Sequence, residues 1–346
     1  MPAEEPAEPP SLVDPQLRRI DTLRVSVTDR CNYRCAYCVP SDGVAHDRRE
    51  QLLSFEEIAA LVRLFARLGV RRVRLTGGEP TVRRDLPELV RLLRAIEGIE
   101  EIALSTNAHL LAAHAVPLRA AGVDRLNVSL DSLDPERFRR ITGGGDLGQV
   151  LAGLAAAAAA GFTSIKINTV AIDGFNDDEI GDLCRFAWAR GWVPRFIEEM
   201  PMAAGRTYQP GRCLSAAAIR ARAAEIDPTA RLLPDQGGSA RGAGPARYYR
   251  LTGGASPEPV RRLGIISPMT EHFCDSCNRV RLSAAGALHA CLGHDDAADL
   301  RGPLRAGDPA AVERAIRRAV SGKRPGHTFD LVGLGGPRKA MVQIGG

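Results

Sequence analysis

No run of about 18 apolar residues occurs anywhere in the 346-residue chain, so no membrane-spanning helix is expected. The opening lacks the basic-then-apolar start of a secretory leader. Met1 to about Leu17 is instead rich in proline, alanine and glutamate without apolar periodicity. This predicts a disordered tail, taken as residues 1–20, and a cytoplasmic protein. A disulfide framework is also lacking. Of the eight cysteines, six fall in two stretches, a distribution that suits metal ligation. Charge of one dominant sign is absent. A net +5 suits an anionic small molecule as well as a nucleic acid and does not separate them. The hydrophobic share of 45% and charged share of 25% are ordinary for a soluble globular chain of one large domain or two.

What the chain does have, from Asp21 onward, is an alternation of strand-like and helix-like segments. The expected strands are Leu23–Thr28, Arg72–Thr76, Glu101–Ser105, Arg125–Leu130, Ser164–Ala171 and Pro194–Glu198. Between them lie expected helices at Ser54–Leu68, Asp85–Glu97, Leu110–Ala121, Gln149–Ala160 and Asp177–Arg190. Ser54 and Glu57 make a capping box with Gly69 as the stop, and the alanine run 155–160 ends at Gly161. Successive βα units imply a parallel sheet with helices outside it, and a closed barrel needs eight such units. The fold expected is α/β, a partial TIM-like barrel of about six units over residues 21–233. A smaller C-terminal extension, residues 234–346, carries the second group of cysteines.

The first group is Cys31, Cys35 and Cys38, at C-x3-C-x2-C spacing directly after the first strand. Three thiolates from one loop can hold three irons of a [4Fe–4S] cluster and leave the fourth iron open. A zinc site completed by His46, or a loop of free thiols, is the alternative. The second group, Cys274, Cys277 and Cys291, has C-x2-C-x13-C spacing and again no fourth thiolate. Zinc completed by His272, His289 or His294 competes with a cluster there. Cys184 and Cys213 lack partners at ligand spacing and are expected to be structural.

Ligands of α/β folds collect at the carboxyl ends of strands. The second strand ends in Thr76-Gly77-Gly78-Glu79-Pro80, where paired glycines admit a ligand closely and Glu79 offers an acceptor for an ammonium group. Alone, such a sequence is most often a turn. Ser105-Thr106-Asn107 and Asn127 to Asp131 end the third and fourth strands; their hydroxyls and amides suit a ribose or carboxylate, but taken without their neighbours strand-end capping and turn formation is the better explanation. Lys166 alternates with Ile165 and Ile167, and an inward lysine needs an anion. Met200 by itself reads as core. Arg24, Arg74, Lys166, Arg279 and Arg281 flank these motifs and together suggest a polyanionic substrate such as a nucleoside triphosphate.

Taken together and in order, these motifs resemble the GTP 3′,8-cyclase (MoaA) family of radical S-adenosylmethionine enzymes. The match runs through the cysteine loop, Arg-Leu-Thr-Gly-Gly-Glu-Pro, Asn-Val-Ser-Leu-Asp, Lys-Ile-Asn, Arg-Phe-Ile-Glu-Glu-Met, Cys-Asn-Arg-Val-Arg with Cys291, and the terminal Gly345-Gly346. It covers nearly everything from Asp21 on. The resemblance implies two [4Fe–4S] clusters, one on Cys31, Cys35 and Cys38 and one on Cys274, Cys277 and Cys291. It implies S-adenosylmethionine contacts at Tyr37, Gly78, Glu79, Ser129 and Met200. GTP contacts are implied at Arg24, Arg74, Ser105, Lys166, Arg279, Val280 and Arg281, with Arg279 and Arg281 counted as catalytic beside the first three cysteines. The implied reaction is removal of the ribose 3′ hydrogen by a 5′-deoxyadenosyl radical and closure onto guanine C8, the first step of molybdenum cofactor biosynthesis. The implied partners are a flavodoxin- or ferredoxin-like electron donor and the downstream cyclic pyranopterin monophosphate synthase, with no nucleic acid and no membrane. A homodimer stays open. Three positions depart from the family's pattern: Ser105 for threonine, Ala108 for glycine, and Gly143-Gly144-Gly145 for a more basic stretch. The Gly345-Gly346 tail is expected to reach the active site.

Overall fold

Buried and partly exposed residues alternate strictly in the fifth strand, from Ile165 to Ala171, whereas the first, third, fourth and sixth carry two or three buried residues in succession, as strands covered on both faces do. A computed structural model describes residues 11–40, 43–202, 207–235, 244–253, 261–333 and 336–344. Its first six strands are β1 (Thr22–Ser26), β2 (Arg72–Thr76), β3 (Glu101–Thr106), β4 (Arg125–Ser129), β5 (Ile165–Ala171) and β6 (Val193–Glu198). They agree with the expected strands to within one or two residues at each end. The interleaved helices are α1 (Phe55–Arg67), α2 (Leu86–Arg94), α3 (Leu111–Ala121), α4 (Pro135–Thr142), α5 (Leu147–Ala159) and α6 (Ile180–Trp188). The capping box at α1 forms: Glu57 N donates to Ser54 Oγ at 3.2 Å, and Ser54 N donates to Glu57 Oε2 at 2.7 Å. Ile58, Leu61, Val62 and Phe65 then recur at helical spacing and are buried against the sheet. Helix α4 was not expected; Asp134 caps it, and it proves central to the site.

The C-terminal region is α7 (Ala216–Ala224), β7 (Ala230–Pro234), β8 (Arg247–Gly253), β9 (Arg261–Ile266), β10 (Arg279–Leu282), β11 (Ala287–His289), β12 (Ala298–Asp299), α8 (Arg301–Arg305), α9 (Pro309–Ser321) and α10 (Met341–Ile344). Its strands extend both edges of the barrel sheet. The order is β12-β11-β10-β1-β2-β3-β4-β5-β6-β9-β8-β7. Parallel pairing runs unbroken from β10 through β1–β6 to β9, while β12, β11, β8 and β7 are antiparallel. The result is a partial barrel whose two edges both come from the C-terminal region. The division expected between residues 233 and 234 falls inside β7.

Residues 11–20, expected to belong to the disordered tail, are packed. Leu12 and Ile20 are buried, Leu12 N donates to Leu68 O at 3.0 Å, and Ile20 N donates to Leu12 O at 2.8 Å. Two apolar residues this far apart show no periodicity, so composition alone hid the contact. The earlier residues and Gly345-Gly346 lie outside the described residues. Among the described residues no helix is long and apolar enough to cross a membrane.

Candidate active site

Inward residues from all eight parallel strands converge on one cavity of about 290 Å³. The loop after β1 brings Cys31, Cys35 and Cys38 to its rim, each half-buried. Backbone bonds fix that loop to α4: Arg34 N donates to Thr142 O at 2.9 Å and Ala36 N to Ile141 O at 2.8 Å. The glycine run after α4 is tailored to the same loop. Gly143 has φ +69°, and a Cβ there would lie 2.7 Å from Arg34 O; one on Gly145 would lie 2.8 Å from Tyr33 Cζ. The departure at residues 143–145 therefore brings the α4 turn hard against the cysteine loop. On the other side, Ala340 and Val342 of the C-terminal segment pack on Val39 and Cys38.

The Gly-Gly-Glu turn docks as backbone against backbone. Gly78 N donates to Thr28 O at 2.7 Å, Glu79 N donates to Arg30 O at 2.8 Å, and a Cβ on Gly78 would fall 2.2 Å from Arg30 O. Glu79 is buried and accepts from Thr81 N (3.0 Å), Thr81 Oγ1 (2.6 Å), Thr106 Oγ1 (2.7 Å) and Asn107 N (2.6 Å). It joins the ends of β2 and β3, and burial raises its carboxyl above the usual range. Tyr37 Oη donates to Asp131 Oδ2 at 2.8 Å, and Val170 N donates to Asp131 Oδ1 at 2.8 Å. Burial pushes the Asp131 carboxyl up to about 6. Ser129 and Met200 line the cavity nearby.

Cys274, Cys277 and Cys291 line the same cavity from its opposite end, because Cys274 and Cys277 precede β10, which runs parallel to β1. Burial opposes ionisation of Cys277, yet Arg279 and Lys323 outweigh it and bring the thiol down to about 6. Of the histidines weighed as ligands, His289 is buried and His294 Nε2 is bonded to Gly326 O at 2.9 Å. His272 does stand at the site, with His327. Their ligand atoms and Cys274 Sγ lie within 4.8 Å of one another, and the rings stack at 4.6 Å. His46 is paired with Asp29 at 3.3 Å, off the cavity.

Between the two ends lies a row of arginines. Arg281, Arg24 and Arg74 are register partners on β10, β1 and β2, so their side chains stand abreast on the inner face. Burial drives Arg24 well below its ordinary pKa, and Arg281, Arg74, Arg279 and Arg195 push it further. Burial followed by Arg195 brings Arg74 to about 9, and burial with Arg279 brings Arg281 to about 10. Cations this buried and this close call for an anion. Arg195, which sequence reasoning missed, lies on the facing wall. Its Nε donates to Asn168 Oδ1 at 2.9 Å and its Nη2 to Asn127 Oδ1. Alternation within Pro194–Glu198 carried that signal, but only the register with Asn168 shows that the arginine points inward. Ser105 and Arg279 also line the cavity. Lys166 and Val280 do not. Val280 is fully buried in the core as the register partner of Leu23, and Lys166 Nζ donates to Tyr248 Oη at 3.1 Å.

Two family models match the chain, one for the radical SAM superfamily at residues 25–187 and one for Molybdenum Cofactor Synthesis C at residues 193–329. The GTP 3′,8-cyclase of Hydrogenovibrio crunogenus is 44% identical over 97% of this chain and 100% of its own length. Those of Pseudomonas entomophila and Moorella thermoacetica are each 46% identical, over 94% and 95% of this chain and 95% and 98% of theirs. The chain belongs to the GTP 3′,8-cyclase family.

As a radical SAM enzyme, a GTP 3′,8-cyclase uses a [4Fe–4S] cluster and S-adenosylmethionine. The first cysteine loop fits that group. Burial pushes Cys31 up to about 11 and Cys38 up to about 12, and it raises Cys35 as well, with neighbouring sulfurs adding to each rise at Cys35 and Cys38. Three such thiolates coexist only around a cation. All three are free of disulfides, and one backbone loop presents them to one cavity. Cys184 is buried in α6, and Cys213 packs beside the Met202, Met269 and Phe329 cluster.

Proposed function

We propose that this chain converts GTP to (8S)-3′,8-cyclo-7,8-dihydroguanosine 5′-triphosphate, the first step of molybdenum cofactor biosynthesis. The row Arg281, Arg24 and Arg74 between two cysteine groups carries the reading. When bound, the cluster and S-adenosylmethionine supply a 5′-deoxyadenosyl radical for the ribose 3′ hydrogen. Cys31, Cys35 and Cys38 hold that cluster. Tyr37, Gly78, Glu79, Ser129 and Met200 surround S-adenosylmethionine. Glu79 does so with both carboxylate oxygens already bonded inside the protein, so its part is to fix the turn as much as to accept an ammonium group. Arg24, Arg74, Arg195, Arg279 and Arg281 take the triphosphate, Ser105 offers a hydroxyl, Lys166 lies behind the wall, and Val280 contributes only backbone.

Cys274, Cys277 and Cys291 hold a second [4Fe–4S] cluster at the guanine end. One observation favours a second reading there, a zinc ion on His272, Cys274 and His327, whose ligand atoms lie within 4.8 Å. Against it, Phe329 N donates to His327 Nδ1 at 3.2 Å, which leaves the proton of a neutral ring on Nε2. A flavodoxin- or ferredoxin-like donor supplies the electron, cyclic pyranopterin monophosphate synthase takes the product, and the enzyme works in the cytoplasm, without nucleic acid, as a monomer or homodimer.

The deciding experiment is anaerobic reconstitution followed by turnover with S-adenosylmethionine, reductant and GTP. The expected products are 5′-deoxyadenosine and a cyclised guanosine triphosphate in step. Deoxyadenosine formed while GTP stays unchanged would remove the substrate assignment. In a Cys274→Ala variant, the iron of the first cluster should persist while cyclisation is lost, and zinc bound in place of iron would select the second reading.

A further inference from the structure

Arg195 on β6 lines the cavity across from the arginine row, Lys166 on β5 stands behind it, and both converge on one phenol. Tyr248 of β8 is 7% exposed. It accepts the hydrogen bond from Lys166 Nζ at 3.1 Å, and that ammonium stands 5.5 Å from the ring centroid. The guanidinium of Arg262 sits 4.2 Å from the same centroid. Tyr248 is the register partner of Gly264 on β9. A Cβ on Gly264 would lie 2.9 Å from Arg195 Cγ and 3.0 Å from Tyr248 Cε1, so the glycine leaves the space in which arginine stem and phenol ring meet.

The arrangement is costly without a purpose. A buried lysine beside a buried arginine sheds its proton unless a polar partner holds the charged form. Burial and then Arg195 bring Lys166 down to about 8, and Tyr248 is the group that opposes them. Burial raises the phenol, but Arg195 and Lys166 outweigh it and leave Tyr248 below its ordinary value. The tyrosine thus keeps Lys166 charged and fixes a flexible side chain in one place.

We propose that Tyr248 is a positioning residue for the triphosphate of GTP: its hydroxyl holds Lys166 behind Arg195, so that the ammonium's charge adds to the cationic wall that Arg195 presents opposite Arg281, Arg24 and Arg74. The inference rests on the reading of GTP as substrate. Tyr248→Phe keeps the ring against Arg262 and Gly264 and removes only the hydroxyl.

The test is equilibrium binding of GTP and of GMP to the anaerobically reconstituted protein. Tyr248→Phe should weaken GTP about tenfold, the loss of one charge-assisted hydrogen bond, and GMP less than about twofold. In a Lys166→Met background the tyrosine change should then have no further effect on GTP. Equal losses for GTP and GMP, no loss at all, or a full tyrosine effect in the Lys166→Met background would each overturn the inference. Lys166→Met alone, with the phenol in place, should show the same GTP-selective loss and decides the matter if the phenylalanine variant does not fold. A wild-type protein that binds GMP as tightly as GTP would instead sink the triphosphate reading beneath it.

Discussion

Glu199 is 6% exposed and accepts from Thr207 Oγ1, and burial pushes its carboxyl from 4.5 up to about 7. Between those values the folded chain holds a proton that the unfolded chain has released. The stability from this group is therefore complete below pH 4.5 and is lost as pH rises through 7. Relative to Glu199→Gln, the wild type should lose roughly 3 kcal/mol between about pH 4 and pH 8, measured by urea denaturation at both ends. A constant difference across that range would contradict the burial argument. Ala108 shows a different balance. It holds φ +60°, a backbone conformation that favours glycine, and is fully buried. Left-handed backbone costs roughly 1–2 kcal/mol outside glycine. The buried methyl returns about 0.8 kcal/mol, and the chain avoids glycine's entropy loss of roughly 0.5–1 kcal/mol. Ala108→Gly should accordingly leave thermal stability within about 1 kcal/mol of wild type by melting.

At the scale of elements, two buried glutamates do the same work at the ends of different strands. Glu79 ties β2 to β3, as described. Glu198, at the end of β6, accepts from Ala216 N (2.7 Å), Met269 N (2.7 Å), Thr270 N (3.0 Å) and Thr270 Oγ1, and so ties β6 to α7 and to the turn after β9. A glutamine there turns an amide toward backbone donors. Glu198→Gln should cost roughly 3 kcal/mol by chemical denaturation. Gly78→Ala should fail in another way. Its methyl would meet Arg30 O at 2.2 Å, and the turn would have to leave the cysteine loop, so bound iron should fall along with activity. The first six strands were legible because short apolar runs alternate with helix-like segments, and the cysteine groups because thiol spacing is chemically narrow. Helix α4 was not, since Phe138 and Ile141 are too few to show a period. Arg195 and Tyr248 were hidden for a different reason: their meeting depends on which strand lies beside which. No local pattern reports that β9 lands next to β6.

For the whole molecule, the N-terminal segment acts on the far end of the chain. Arg18 is buried, pairs with Asp14, and donates through Nη1 to Cys274 O at 2.7 Å and Pro325 O at 2.9 Å, and through Nη2 to Arg324 O at 2.8 Å. Arg18→Ala would take the guanidinium away from buried Asp14 Oδ2 and from the carbonyls of Cys274, Pro325 and Arg324 at once. It should destabilise the protein by roughly 3 kcal/mol. If the second cluster proposed at Cys274 is held there, its iron should be lost before that of the Cys31 end, visible as a drop in iron content while S-adenosylmethionine binding persists.

The pairing of β1 with β10 has a consequence in time. Asn278 donates to Asp21 at 2.6 Å across 257 residues of chain. At about 5–20 residues per second, β1 waits roughly 13–50 seconds on the ribosome for the neighbour on its outer edge. Until then the nascent sheet shows open backbone donors and acceptors beside three unprotected thiols, the conditions under which strands join the wrong chain. The strand made first is finished among the last, so a chain released early is exposed to aggregation and oxidation at one and the same place.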